Sequence, residues 1–247
     1  MNLKVIACKV LYREISLISA VMDNIIDVTY LRQGLHNTPA VLKDQLQLEI
    51  DLIDSGEDMH SGVSDEYNRL DAILLGYGLC SNGIIGLSSK KYPLIIPRAH
   101  DCITLFLGSK DVYKDYFDKN SGTYWYTPGW IENTPMPSHE RYKSAHDRYT
   151  ELYGEENADY LIEQEQGWLK KYDNCAYINW TELPFEKHRQ YTAECSEYLG
   201  WKHDILEGSS ALMRRFLSGE WDNESFLIIP PGGSIAPSFD NDIVKLT

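Results

Sequence analysis

The sequence predicts an α/β fold: a mostly parallel sheet with helices on both faces, Rossmann-like, carrying a helical insertion. Three observations predict it. Short apolar runs recur along the chain and alternate with segments whose apolar residues return at helical intervals. The run Ala72 to Tyr77 is apolar on both faces, as a strand inside a parallel sheet must be. A charged block over 138–172 interrupts the rhythm and reads as two solvated helices. The chain therefore reads as one α/β domain over 1–247, with an N-terminal lobe at 1–134, a helical insertion at 135–174 and a C-terminal lobe at 175–247.

Leu3 to Ala7 is the first strand and ends at Cys8. Glu14 to Asn24 spaces Ile15, Ile18 and Met22 as a helix does. Ile25 to Leu31 is a second strand and runs into a loop carrying His36. Thr38-Pro39 reads as N-cap and first helical position. The helix that follows places Leu42, Leu46, Ile50 and Ile53 on one face and stops near Ser55-Gly56. Glu57 to Arg69 is a polar link with a short helix, and Ala72 to Tyr77 is the third strand.

Gly83 to Leu87 reads as a helical entry, Tyr92 to Pro97 as the fourth strand, and Ile103 to Leu107 as a helix. Val112 to Phe117 continues as a second helical piece. The aromatic stretch Tyr124 to Trp130 has a turn signal at Pro128-Gly129. It reads as a packed aromatic satellite core, or as a lid or stacking face for a flat ligand. Pro135 and Pro137 mark a linker, followed by helices over Ser138 to Tyr153 and Asn157 to Tyr172. The last third alternates again: strand Ala176 to Trp180, helix Glu186 to Leu199, strand His203 to Leu206, helix Ser210 to Leu217, strand Phe226 to Ile229. Four strands thus precede the insertion and three follow it.

Charge and cysteine usage narrow the function classes. The net charge of −14 repels phosphate backbones and anionic lipid surfaces, so neither a nucleic acid nor a membrane is the expected partner. No apolar run approaches the ~20 residues that span a bilayer, and the N-terminus lacks a secretory pattern. The expected location is cytoplasmic. Five cysteines, an odd number in a chain of this size, argue against a disulfide framework.

Ligands of an open parallel sheet gather beyond the carboxyl ends of its strands. That edge collects Cys8, His36, Cys80, the Arg98 to Cys102 loop, Glu207 to Ser209 and Gly232-Gly233; Cys175 and Cys195 fall elsewhere. Cys8, Cys80 and Cys102 form a candidate thiolate metal site, with His100 or His36 as a further ligand. Thiolate and imidazole donors suit zinc, or a [4Fe–4S] cluster as the alternative. Were Arg98 to Cys102 extended, His100 and Cys102 would point to one side. His100 would then share the metal or activate Cys102. Arg98 would orient an anionic small-molecule substrate and Asn82 donate a hydrogen bond to it. Gly78 and Gly83 read as points of close backbone approach, with room for a bound cofactor. The competing reading is plain packing: cysteine is a small, frequently buried hydrophobe, and no C-x-x-C spacing is present. Glu14 reads as decoration of the first helix, or as a site acid.

The motifs Ala7-Cys8 through Glu14, Gly34-Leu35-His36 with Pro39, Tyr77-Gly78-Leu79-Cys80-Ser81-Asn82-Gly83, and Pro97-Arg98-Ala99-His100-Asp101-Cys102-Ile103 resemble one known family. Gly129-Trp130 and His203-Asp204 to Gly208 match it as well. It is the domain of unknown function 1638, found in methanogenic archaea and anaerobic bacteria. The resemblance implies company with corrinoid proteins and methyltransferases, and hence methyl or one-carbon transfer at a thiolate centre. The chain has no D-x-H-x-x-G corrinoid signature. The expected function is a metal–thiolate enzyme, with a [4Fe–4S] Lewis-acid enzyme as one alternative. A non-catalytic accessory that delivers a metal or corrinoid to a methyltransferase is the other.

Overall fold

The computed structural model describes residues 1–57 and 69–247. In chain order the strands are β1 (Asn2–Cys8), β2 (Ile25–Leu31), β3 (Ala72–Gly76), β4 (Leu94–Pro97), β5 (Thr123–Tyr126), β6 (Asn174–Asn179), β7 (Lys202–Glu207), β8 (Phe226–Ile229), β9 (Ile235–Pro237) and β10 (Val244–Leu246). The α-helices are α1 (Tyr12–Ser19), α2 (Pro39–Ser55), α3 (Ile103–Leu107), α4 (Lys110–Lys119), α5 (Pro128–Asn133), α6 (His139–Tyr153), α7 (Glu155–Gln166), α8 (Glu186–Leu199) and α9 (Ala211–Ser218). The fold is mixed α/β with a mostly parallel central sheet. Two compact units make up the chain: Met1–Tyr113 with Ser209–Thr247, and Lys114–Gly208. Their boundaries do not coincide with the lobes read from the sequence at 134 and 174.

The first unit is built on a five-stranded sheet of order β2-β1-β3-β4-β8. The first four strands run parallel, and β8 pairs antiparallel with β4. Period-2 alternation divides the strands between two faces. Ile6, Ile73, Leu75, Leu94 and Ile96 pack with the apolar stripe of α2, namely Leu42, Leu46, Ile50 and Ile53. On the other face Val5, Leu74 and Ile95 are fully buried too. The sheet is therefore covered on both faces, which explains why its strands read as continuous apolar runs. α2 ends at Gly56, whose left-handed backbone closes the last turn.

The second unit carries a three-stranded parallel sheet, β5-β6-β7. Its core gathers Tyr126, Met136, Cys175, Tyr177 and Cys195. Around Tyr124 the rings of Trp168, Tyr172 and Trp201 pack edge-on or tilted against one another. The aromatic stretch is thus divided between strand β5 and the start of α5, joined at Thr127.

Several expectations are corrected. Gly83 to Leu87 is a set of turns, because the left-handed backbone at residues 80–82 and at Gly86 cannot lead into an α-helix. Pro128-Gly129 opens a helix: Thr127 Oγ1 accepts from the Trp130 amide, and Pro128 takes the first position, where no donor is needed. Thr38 occupies a cap position, but its hydroxyl donates to the Leu35 carbonyl at 3.4 Å instead of capping α2. β8 is antiparallel, so its exit at Pro230 to Gly233 lies beside Leu94, at the edge where β4 begins. The Glu57 to Arg69 link lies, apart from its two end residues, outside the described residues.

Candidate functional site

The chain leaves β1 toward β2 on one side, then returns to place β3 on the other. The order reverses between β1 and β3, and such a switch point leaves a crevice at the carboxyl ends of the two strands. Cys8 ends β1. Tyr77 follows β3 directly, and Cys80 comes three residues later. The fold therefore brings residues from two distant parts of the sequence to the position where open α/β sheets bind ligands.

The loops after β3 and β4 are fastened to each other by their backbones. Leu79 N–H donates to the Ala99 carbonyl at 2.8 Å, and Cys80 N–H to the His100 carbonyl at 3.0 Å. Gly78 has no room for a side chain between them. The chain then makes a left-handed turn with φ of 46° at Cys80, 56° at Ser81 and 68° at Asn82. Three successive non-glycine residues in this region are costly, and such strain concentrates at functional sites. Gly83 N–H closes the turn on the Cys80 carbonyl at 3.0 Å. A Cβ at Gly83 would meet Leu42 of α2 at 2.7 Å.

Cys8 opens a 3-10 turn, Lys9–Leu11. Burial pushes its thiol up, and the N–H groups of Val10 and Lys9 pull against that shift. Cys80 is pushed up to about 12 by burial first, then by the charges of Asp101 and Cys8. At neutral pH Cys80 is a thiol. Cys102 precedes α3, and its carbonyl accepts from Leu105 and Phe106. Asp101 Oδ1 accepts from the Ile103 amide at 2.9 Å, and Oδ2 from the Tyr113 hydroxyl at 3.0 Å. Burial nonetheless raises the Asp101 carboxyl.

Tyr77 begins the loop that carries Cys80. Its side chain belongs to the core and is 4% exposed. Burial raises its hydroxyl pKa well above the ordinary value, and Cys8, Cys80 and Cys102 raise it further in that order. Its hydroxyl has no hydrogen-bond partner among the described residues. His36, half-buried on a 3-10 turn, approaches Asp101: burial lowers its pKa and the Asp101 charge raises it.

The Arg98 guanidinium donates to backbone carbonyls, from Nε to Asn223 at 2.8 Å and from Nη1 to Asp242 at 3.0 Å and to Val244. It ties the end of β4 to the segment preceding β8 and to β10. It also lines a cavity of about 220 Å³ with Lys110 and Arg215, and no cysteine lines that cavity. The side chains of Asn82 and His100 are exposed. Arg98 to Cys102 bends, with Ala99 N–H donating to Pro97, so the extended-strand argument for pairing His100 with Cys102 does not apply. Glu14 is buried in α1. Cys175 and Cys195 flank Tyr126 in the second unit.

The three thiols follow the ends of β1, β3 and β4. Among the described residues, no group of three His, Cys, Asp or Glu side chains is arranged to hold a metal ion. No described helix is long and apolar enough to cross a membrane. Sequence reasoning missed Tyr77 and the Asp101–Tyr113 pair. The signal available was the position of Tyr77, one residue past a buried strand and three before a cysteine.

Residues 30–217, about three quarters of the chain, match the family model described as "Protein of unknown function (DUF1638)", and the chain belongs to that family. The match includes His36, Cys80 and Arg98 to Cys102; Cys8 lies before it. No curated protein matches the chain, and no solved structure does.

Proposed function

We propose that this DUF1638 protein does thiol chemistry on a small molecule, and that the Cys8, Cys80 and Cys102 rim is its ligand site. The observation that carries this reading is placement: Cys8 ends β1, Cys80 and Cys102 sit on the loops after β3 and β4, those loops are bonded to each other, and Cys8 and Cys80 pack on one core cluster. The rim's place at the switch point of the sheet supports it. We read that sheet as doubly wound and Rossmann-like.

The ligand class we favour is a soft metal centre, a zinc ion or alternatively a [4Fe–4S] cluster. Cys80 is a poor nucleophile as a buried neutral thiol, and a bound cation is the ordinary means of converting such thiols to thiolates. His100 or His36 would complete the set. The side chains as they stand do not make that set, so uptake requires the sulfurs to close on one another. Methyl or one-carbon transfer, with a corrinoid protein or methyltransferase as partner, is the reaction class proposed on the family resemblance.

The same absence of a preformed three-ligand set favours a second reading, in which Cys8 and Cys80 serve as core packing. Anaerobic purification with elemental analysis and a visible spectrum separates the two. About one zinc per chain in a colourless protein supports the zinc form. An absorption band bleached by oxygen supports the cluster. A protein free of both metals leaves packing as the account of the thiols.

A further inference from the structure

We propose that the cavity beside the end of β4 binds a tetrahedral oxyanion, inorganic phosphate or the phosphate of a small monoester, held by Lys110 and Arg215. No cysteine lines this cavity, so the inference is independent of the reading of the rim.

The lining comes from stretches far apart in sequence, all within the first unit. Arg98 follows β4, Thr104 lies on α3, Ser109 and Lys110 stand at the entry to α4, Arg215 is on α9, and Ser225 precedes β8. The volume of about 220 Å³ is several times that of a water, roughly 30 Å³, and lies below the roughly 300 Å³ at which pockets for drug-sized ligands begin. The occupant is therefore small.

Charge selects an anion. The chain carries a net charge of −14, yet three cations meet here against two carboxylates, Asp111 and Glu224. Both carboxylates are exposed, whereas the Arg98 side chain is 9% exposed and Lys110 and Arg215 are half-buried. Water and salt screen exposed charges more than buried ones, so the cations dominate the field in the cavity.

The donors select its shape. Arg98 Nε and Nη1 already serve backbone carbonyls, so this residue contributes charge more than bonds. Lys110 Nζ donates to the Glu224 and Asn241 carbonyls at 3.2 and 3.3 Å, both long for a charged donor, and carries a third proton. Arg215 Nη2 donates to Ser225 Oγ at 3.2 Å and pairs with Asp222, and neither interaction uses its Nε or Nη1 protons. Ser109 Oγ accepts from the Asp111 and Val112 amides at 3.2 and 3.4 Å, which leaves its own proton to donate. Those amides are thus taken, and the donors offered to the cavity are side chains. An ammonium, a guanidinium and hydroxyls on separate elements surround an occupant from several sides. That arrangement suits the oxygens of a tetrahedral anion better than a planar carboxylate, which a single guanidinium fork matches.

The test is calorimetric titration of the full chain with sodium phosphate, methyl phosphate and acetate at constant ionic strength. Wild type is compared with Lys110→Met, Lys110→Arg, Glu224→Gln and Lys187→Met, the last an exposed lysine outside the cavity that controls for net charge. Wild type should bind one phosphate or methyl phosphate per chain, and acetate more weakly. Lys110→Met should weaken phosphate on the order of 10-fold, Lys110→Arg should keep most of the affinity, and Lys187→Met should match wild type. Glu224→Gln removes an opposing charge and should tighten phosphate about twofold; impaired folding cannot imitate that gain. Tighter methyl phosphate identifies a monoester as the ligand, and tighter inorganic phosphate the free ion. Absence of saturable phosphate uptake by wild type overturns the inference. So does acetate bound as tightly as phosphate, or an equal loss in Lys110→Met and Lys187→Met, which would mean attraction to diffuse charge.

Discussion

Gly78 lies directly against the backbone of Asp101: a Cβ on Gly78 would stand 2.6 Å from the Asp101 amide nitrogen and 2.7 Å from its Cα. Both obstacles are main chain, so neither can rotate away. Gly78→Ala must therefore push the β3 and β4 loops apart and loosen the bonds from Leu79 to Ala99 and from Cys80 to His100. The expected cost is about 2–4 kcal/mol, read as a lower urea midpoint with an unchanged slope. The variant should also lose ligand uptake at the rim, because Cys80 and Cys102 are carried by those two loops.

Arg98 should prove to be a residue of stability before it is one of binding. Its guanidinium serves the carbonyls of Asn223, Asp242 and Val244, and its side chain is 9% exposed. Arg98→Ala leaves those acceptors unmet and should cost about 3 kcal/mol. Arg98→Lys should recover only part of this, since an ammonium cannot reproduce the planar fork. Urea denaturation of the two variants checks the order.

The left-handed turn gives a paired test. Ser81 is exposed and has φ of 56°. Ser81→Val places a β-branched residue where even serine is strained and should cost about 1–2 kcal/mol. Ser81→Gly should be neutral or mildly stabilising, because relief of strain offsets the greater freedom of the unfolded chain. A valine variant as stable as wild type would show that the turn is not left-handed in solution.

His36 should titrate below its ordinary range, because burial disfavours the imidazolium more than Asp101 favours it. The folded pKa is depressed, so the unfolded chain binds the proton more readily. This residue's contribution to stability is then full above the unfolded value, near 6.5, and is lost as pH falls through the folded one. NMR titration of the ring should show the depressed midpoint. Asp101→Asn should move it lower still.

The parts of the fold legible in sequence are those fixed by local pattern. Ile25 to Leu31 and Glu186 to Leu199 have the bounds of β2 and α8, and Gly56, Gly108 and Gly200 end their helices in the left-handed region. What was hidden depends on partners far along the chain. The reversal between β1 and β3 and the antiparallel entry of β8 are properties of strand order, which periodicity does not contain. Arg98 looked like a substrate ligand because the carbonyls it serves lie 125 to 146 residues away. The cysteine rim was visible because each thiol follows an apolar strand. Tyr77 was not, since a tyrosine at the end of such a run looks like core until its hydroxyl is found without a partner among the described residues.

The most direct test of the central claim is an anaerobic cadmium titration of wild type, of the single Cys8→Ser, Cys80→Ser and Cys102→Ser proteins, and of Cys195→Ala as a control outside the rim. The account predicts one tightly held ion per chain, carrying a thiolate charge-transfer band. Each of the three rim substitutions should abolish or greatly weaken it, and Cys195→Ala should keep it. Absence of uptake by folded wild type, or uptake that survives all three rim substitutions, would contradict it.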